Sequence, residues 1–231
     1  MRKLGLIGGL SWVSTRAYFE RINRYVRKHH DPRALAPMVI ESLDFTGIPW
    51  PESNDDWGKV TTMLTESANR LSDAGAEMIV IGANVLHKVY RDVEAEVDRP
   101  FLHIAECVGE KMKEDGVHTA ALVGVRSVMT ESFYRRRLVA HDIDLLPPRM
   151  SDVDALERII TQELMMGKAT RDAERTLKSM FTDFERDGAK AVVMANTELE
   201  QVVDVDANIL PVYDCTAIHA EAAARWIIGD Q

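Results

Sequence analysis

A few side chains in this 231-residue chain combine a reactive type with a position that can use it. His87 is the foremost, because imidazole ordinarily titrates near neutrality and suits a general base. It lies four residues beyond Ala83, one helical turn along, so the two can share a face. Buttressing of its own loop is the competing role for this ring. The chain has two cysteines, Cys107 and Cys215. Cys215 follows an apolar run and could supply a second base or serve as a small buried hydrophobe; Cys107 lies in a helical pattern and reads as core. Asn84, Asn196 and Thr197 sit where helical turns begin. There, amide and hydroxyl groups can hold a carboxylate beside backbone N–H donors, or simply cap the turn. Ser11 is a further carboxylate or hydroxyl ligand, with Trp12 beside it as a packing residue. Asp44 could meet an ammonium group or brace its loop. Glu198, in a first turn, could act as an acid/base group, although a glutamate there more often complements the local dipole. No cysteine or histidine spacing suggests a metal site.

The elements that position these residues follow an alternating plan. Short apolar runs predict strands at Lys3–Gly8, Pro37–Ser42, Met78–Gly82, Pro100–His103, Thr119–Gly124, Asp144–Leu146, Ala191–Ala195 and Leu210–Tyr213. Longer amphipathic segments separate them. Asp56–Ala74 stops at Gly75, Ser151–Met166 opens on a capping serine, Asp172–Asp187 stops before Gly188, and Thr216–Ile228 ends the pattern. Runs such as Met78-Ile79-Val80-Ile81 are apolar throughout, as in parallel strands covered on both faces. Thr46–Asn54, with Pro49, Trp50 and Pro51, reads as a loop and a possible flap.

An internal repeat organises the plan. Gly75–Asn84 aligns without a gap on Gly188–Thr197, Pro100–His103 on Pro211–Asp214, and Leu4–Gly9 on Ala120–Val125. The order is the same in both halves. This predicts an α/β fold of two pseudo-symmetric parallel-sheet lobes, the first formed by 1–115 with 215–231 and the second by 116–214. Ala83 and Asn196 become equivalent positions just past strand carboxyl ends, where α/β sheets bind ligands. Facing each other across a cleft, they would bracket one small molecule.

Composition narrows the partners. A hydrophobic share of 46% and a charged share of 28% suit a globular chain able to bury its own core. A net charge of −9 argues against nucleic acid, which requires a concentrated basic face. The basic runs Arg24–Lys28 and Arg135–Arg137 read as solvated helix faces. The apolar opening is too short for a signal peptide, and no stretch reaches bilayer length, so no membrane partner and a cytoplasmic location are expected.

Several segments in register resemble the aspartate/glutamate racemase family, in its bacterial amino-acid racemase branch. They are Ile7-Gly8-Gly9-Leu10-Ser11-Trp12 with Ser14-Thr15, Ser42-Leu43-Asp44-Phe45, and Ala83-Asn84-Val85-Leu86-His87-Lys88. Leu102-His103-Ile104-Ala105, Phe133-Tyr134-Arg135 and the closing Tyr213-Asp214 with Ala217-Ile218-His219-Ala220-Glu221 complete the set. The resemblance implies racemisation of an amino acid without pyridoxal phosphate or any other cofactor, a small amino acid or carboxylate as partner, and a homodimer. The chemistry requires two proton carriers on opposite faces of a planar intermediate, cysteine thiols in this family. The matching positions here hold Ala83 and Asn196. Alanine has no exchangeable proton, and an amide neither gives nor takes one at neutral pH. The resemblance also places Val13 where an acidic residue is usual, and valines in Gly124–Glu131 where carboxylate-binding threonines are expected. It therefore leaves the substrate open, with His87 and Cys215 as the remaining candidate bases. His219 and Glu221 match without an assigned chemical role.

Overall fold

The computed structural model describes residues 1–50 and 57–230. Pro51–Asn54, part of the expected flap, lie outside the described residues. In chain order the elements are β1 (Leu4–Gly8), α1 (Trp12–His29), β2 (Met38–Ser42), α2 (Gly58–Asp73), β3 (Met78–Ile81), α3 (Tyr90–Glu96), β4 (Phe101–Leu102) and α4 (Ile104–Glu114). They continue with β5 (Thr119–Val123), α5 (Arg126–Thr130), α6 (Ser132–Val139), β6 (Asp144–Leu145), α7 (Met150–Arg158), α8 (Arg171–Arg186), β7 (Ala191–Met194), β8 (Val212–Asp214) and α9 (Cys215–Ile228). Each of the eight expected strands is present, displaced at its ends by two residues at most.

The chain divides into two compact units, Met1–His103 with His219–Gln231, and Ile104–Ile218. Each unit holds one four-stranded parallel sheet. The orders are β2-β1-β3-β4 and β6-β5-β7-β8, which are the same order when the strands of each unit are counted in sequence. The registers also agree. Ile81 pairs with Ile7 in the first sheet and Met194 with Val123 in the second. Ile79 pairs with Phe101, and Val192 with Val212. The ungapped sequence repeat is therefore a repeat of strand position, and it puts Ala83 and Asn196 at the same step beyond their strands.

In the first unit the central strands divide their side chains between two apolar layers, as strand alternation requires. Leu4, Leu6, Met78 and Val80 pack with Tyr18, Ile22 and Val26 of α1 and with Ala220, Ala223, Ala224 and Ile227 of α9. Ile7, Ile79 and Ile81 pack on the other face with Val60, Leu64, Ala68 and Leu71 of α2. In the second unit Ala121, Val123, Val192 and Met194 meet α7, α8 and the segment between them. The helices before β3 and β7 end alike. Gly75 and Gly188 take φ of 89° and 99°, a left-handed conformation that glycine reaches without Cβ strain.

Three local expectations change. Ser151 does not cap α7: the helix begins at Met150, the cap position is Arg149, and no side chain caps it. The α7 direction then continues through a π turn, Ile159–Glu163, and a short 3-10 turn that stops at left-handed Gly167. Helix α8 is capped by Thr170, whose hydroxyl accepts from Ala173 N–H at 3.1 Å. Arg135 and Arg137 are half-buried, unlike a solvated face. Arg135 donates to the carbonyls of Met129 and Leu146, and Arg137 pairs with Glu106 at 2.5 Å. No helix of the described residues is long and apolar enough to cross a membrane.

Candidate active site

In the first unit the carboxyl ends of β1 and β3 bring the candidate residues into one hydrogen-bonded frame. Beyond β1, Gly9 adopts φ 80°, and a Cβ there would lie 2.1 Å from the Leu43 carbonyl oxygen. Only glycine fits this close approach of β1 to the chain leaving β2. Gly9 N–H donates to Thr15 Oγ1 at 2.8 Å, and the Thr15 hydroxyl donates to Ser11 O at 3.0 Å. Ser11 caps α1, its Oγ accepting from Ser14 N–H at 3.4 Å. The Ser14 hydroxyl reaches Gly82 O at 3.0 Å, tying α1 to the residue before Ala83.

The loop after β3 winds into a 3-10 turn, Val85–Val89, with Asn84 at its start. Ala83 is half-buried and packs against the apolar layer that includes Leu10, Ile48 and Leu86. His87 is only 3% exposed, with Nδ1 2.9 Å from Ala83 O. A carbonyl oxygen can only accept, so Nδ1 carries a proton and donates to it. The ring lies nearly parallel to Tyr90 at 5.9 Å and edge-on to His103 at 4.6 Å and His219 at 5.9 Å. These aromatic neighbours were not anticipated as a group. His103 and His219 belong to short motifs with no shared spacing, and only the packing of β4 and α9 brings their rings together. Among the described residues no group of three His, Cys, Asp or Glu side chains could hold a metal ion.

Asp44 is exposed, and both of its carboxylate oxygens lie 2.8 Å from the Thr46 hydroxyl; one also accepts Thr46 N–H at 3.0 Å. The Thr46 side-chain and backbone donors hold its carboxyl below the usual range. This is the bracing role among the two expected of it. Trp12 is not a packing residue: it is 72% exposed at the first position of α1, where its neighbour Ser11 turns inward to cap, and the Arg16 guanidinium lies 5.5 Å over its ring.

In the second unit the equivalent loop is built differently. Asn196 is extended, with φ −160° and ψ 124°, and its Oδ1 accepts from Glu198 N–H at 3.1 Å. It caps a 3-10 turn, Thr197–Gln201. Thr197 is buried and shares a hydrogen bond with the Thr216 hydroxyl at 2.7 Å. Glu198 is buried as well. Asp214 turns back to accept from Ala217 N–H at 3.1 Å, opening α9.

Cys215 cannot serve as the base considered for it. It is fully buried, the Tyr134 hydroxyl donates to its Sγ at 3.1 Å, and burial pushes its thiol far above the ordinary range. A base must reach its proton and be ionised in a useful fraction, and this thiol does neither. Cys107 is core, as expected, with its thiol pushed up to about 12 by burial.

Comparison with known proteins follows the fold. The family model for Asp/Glu/Hydantoin racemases matches residues 7–223. A provisionally assigned Asp/Glu racemase from Yersinia pestis is 35% identical, with 99% of this chain and all of that one covered at a TM-score of 0.91. An aspartate racemase homologue from Pyrococcus horikoshii is 27% identical, with the same coverage and a TM-score of 0.86. Among curated proteins, the broad specificity amino-acid racemase RacX of Bacillus subtilis is 20% identical over 235 residues, covering 99% of each chain. With a matching sequence model over nearly its whole length and the two-sheet topology of these relatives, the chain belongs to the Asp/Glu/Hydantoin racemase family.

Proposed function

We propose that this racemase-family protein binds a small amino-acid-like carboxylate at its strand ends and moves a Cα proton through one carrier, His87, on one face only. The observation that carries this reading is the equivalence of Ala83 and Asn196, neither of which can transfer a proton. The sealed state of both thiols removes the ordinary substitute. With Nδ1–H given to Ala83 O, Nε2 is the nitrogen that would take the proton in this reading. Ser11 and Asn84, both in the first unit, are the polar groups that would hold the carboxylate and stabilise charge as the proton leaves. One-sided chemistry of this kind gives exchange with retention, elimination or decarboxylation. It does not give the inversion of a two-carrier site.

A second reading is a binder without turnover, favoured by the depth at which His87 is packed. Both readings are tested by incubating the protein in D₂O with a panel of amino acids and small carboxylates, followed by mass spectrometry and chiral separation. Deuterium uptake with retained configuration, abolished in His87→Ala, supports the proposal. Saturable binding with no uptake favours the second reading. Inversion of L-aspartate or L-glutamate would refute both and restore conventional racemisation.

A further inference from the structure

Three imidazoles are buried within one small region of the first unit, and no local pattern requires them there. His87 and His103 are each 3% exposed and His219 is wholly buried. Burying an imidazole is costly unless its nitrogens are satisfied, and a charged one costs more. His219 meets this demand on both sides. Its Nε2 lies 3.0 Å from Leu102 O, which can only accept, so Nε2 carries the proton. Nδ1 therefore accepts, and the Tyr18 hydroxyl donates to it at 2.7 Å. A ring held at both nitrogens has one orientation and one neutral tautomer.

That ring bears on His87 in two ways. It meets the His87 ring directly, edge-on at 5.9 Å. Through Leu102 O it also anchors the end of β4, where His103 follows and lies edge-on to His87 at 4.6 Å and to Tyr90 at 4.5 Å. His87 is thus walled by rings from α3, from His103 beyond β4 and from α9, while its Nδ1–H is spent on Ala83 O. Helix α1 enters twice, through Tyr18 to His219 and through Ser14 to Gly82 O.

The second unit provides an internal control. Its strands have the same order and register, yet the ungapped alignment puts Glu200 at the place of His87 and Asp214 at the place of His103. Carrying the β1/β5 register onward puts Tyr134 at the place of Tyr18; it too is wholly buried, but its hydroxyl goes to Cys215. The second unit builds the same frame with carboxylates at these two places, so the strand order and register do not by themselves call for imidazoles.

We propose that Tyr18 and His219 are positioning residues that act through His87, fixing its ring so that Nδ1–H stays on Ala83 O. The inference rests on the reading of His87 as the proton carrier, but its readout does not depend on turnover. The groups that face the cluster are Tyr18 from α1, Tyr90 from α3 with Glu94 accepting from its hydroxyl at 3.0 Å, His103 beyond β4 and His219 from α9.

The test is long-range ¹H–¹⁵N NMR of the imidazoles in the full chain, followed from pH 8 to pH 5 and assigned with His87→Gln, His103→Gln and His219→Gln. In the unsubstituted protein at pH 7, His87 shows a protonated Nδ1 and His219 the neutral Nε2–H pattern. Tyr18→Phe removes one hydroxyl at constant shape, so it keeps the fold. In it His87 becomes a tautomer mixture, and its titration midpoint moves by about one pH unit. His219→Gln, whose amide can still donate to Leu102 O, gives a smaller change in the same direction. An Nε2–H pattern for His87 in the unsubstituted protein, or a His87 tautomer and midpoint unmoved in Tyr18→Phe, overturns the proposal. Deuterium exchange that persists in His87→Ala while these shifts occur would refute the proton-carrier reading alone.

Discussion

The loops that follow β3 and β7 occupy the same step of the same frame and have opposite chemistry. After β3 the chain turns at once into right-handed backbone at Asn84, and the His87 imidazole donates back to Ala83 O. After β7 it stays extended through Asn196, which spends its side-chain oxygen on its own turn. The lesson is that backbone symmetry does not impose chemical symmetry. A duplicated sheet supplies two equivalent positions, and what each can do depends on the side chain there and on which hydrogen bonds already claim it. In this molecule one position has a basic ring as its neighbour and the other an amide already used as a cap.

The comparison can be broken most severely by restoring its symmetry. With Ala83→Cys and Asn196→Cys together, both equivalent positions hold a group that can carry a proton. Cα–H exchange with inversion is expected to rise at least about tenfold above the unsubstituted protein on its best ligand, read by chiral separation in D₂O. Ala83→Cys alone should give no inversion, because His87 and residue 83 follow the same strand; inversion by that variant would mean that residue 196 is not the position of the missing carrier.

Next in size is the strand-end geometry. Gly9→Ala forces a Cβ against Leu43 O at left-handed φ and is expected to cost about 3 kcal/mol or more in urea unfolding. Gly188→Ala, at comparable φ but with nothing within 4 Å, should cost about 1 kcal/mol. Equal losses would show that the close approach beyond β1 is not what demands glycine.

The imidazole cluster gives the first unit a pH dependence. Burial pulls His219 down to about 4, partly opposed by its bond to Leu102 O. Unfolded, it takes up a proton near the ordinary imidazole value of about 6.5. Between these values the unfolded chain binds more protons, so stability rises with pH. The contribution, about 3 kcal/mol, is fully present above about pH 6.5 and is lost as pH falls toward 4. Urea midpoints at pH 7 and pH 5 measure it, and His219→Gln should flatten the slope. An unchanged slope would place the titrating group elsewhere.

The smallest effect concerns the cap. Asn196→Ala should cost about 1 kcal/mol by losing the bond to Glu198 N–H. Ala83→Asn should recover little, because residue 84 is already right-handed and the side chain of residue 83 packs on an apolar layer. A comparable gain from Ala83→Asn would mean that the two loops are interchangeable.

Much of the fold was legible because its signals are local. Runs such as Met78–Ile81 and Ala191–Met194 are apolar at every position, and both strands are buried throughout. The caps were harder to read. Ser151 has the right residue type, but Thr170 is the residue that closes a turn with its hydroxyl, because capping depends on backbone angles that residue type only biases. The arginines of α6 were misread because a helical pattern does not reveal that carbonyls and a glutamate from other elements lie within reach of its polar face.

The candidate site divides in the same way. That residues 83 and 196 carry no exchangeable proton follows from their identities, and their equivalence from an ungapped repeat; neither needs coordinates. That Cys215 is sealed, that Asp44 braces its turn and that Asn196 is spent as a cap came only from the folded structure. So did the meeting of His87, His103 and His219. The physical reason is range: periodicity and turn chemistry act over a few neighbouring residues, whereas desolvation and ring packing depend on which distant segments close around a side chain.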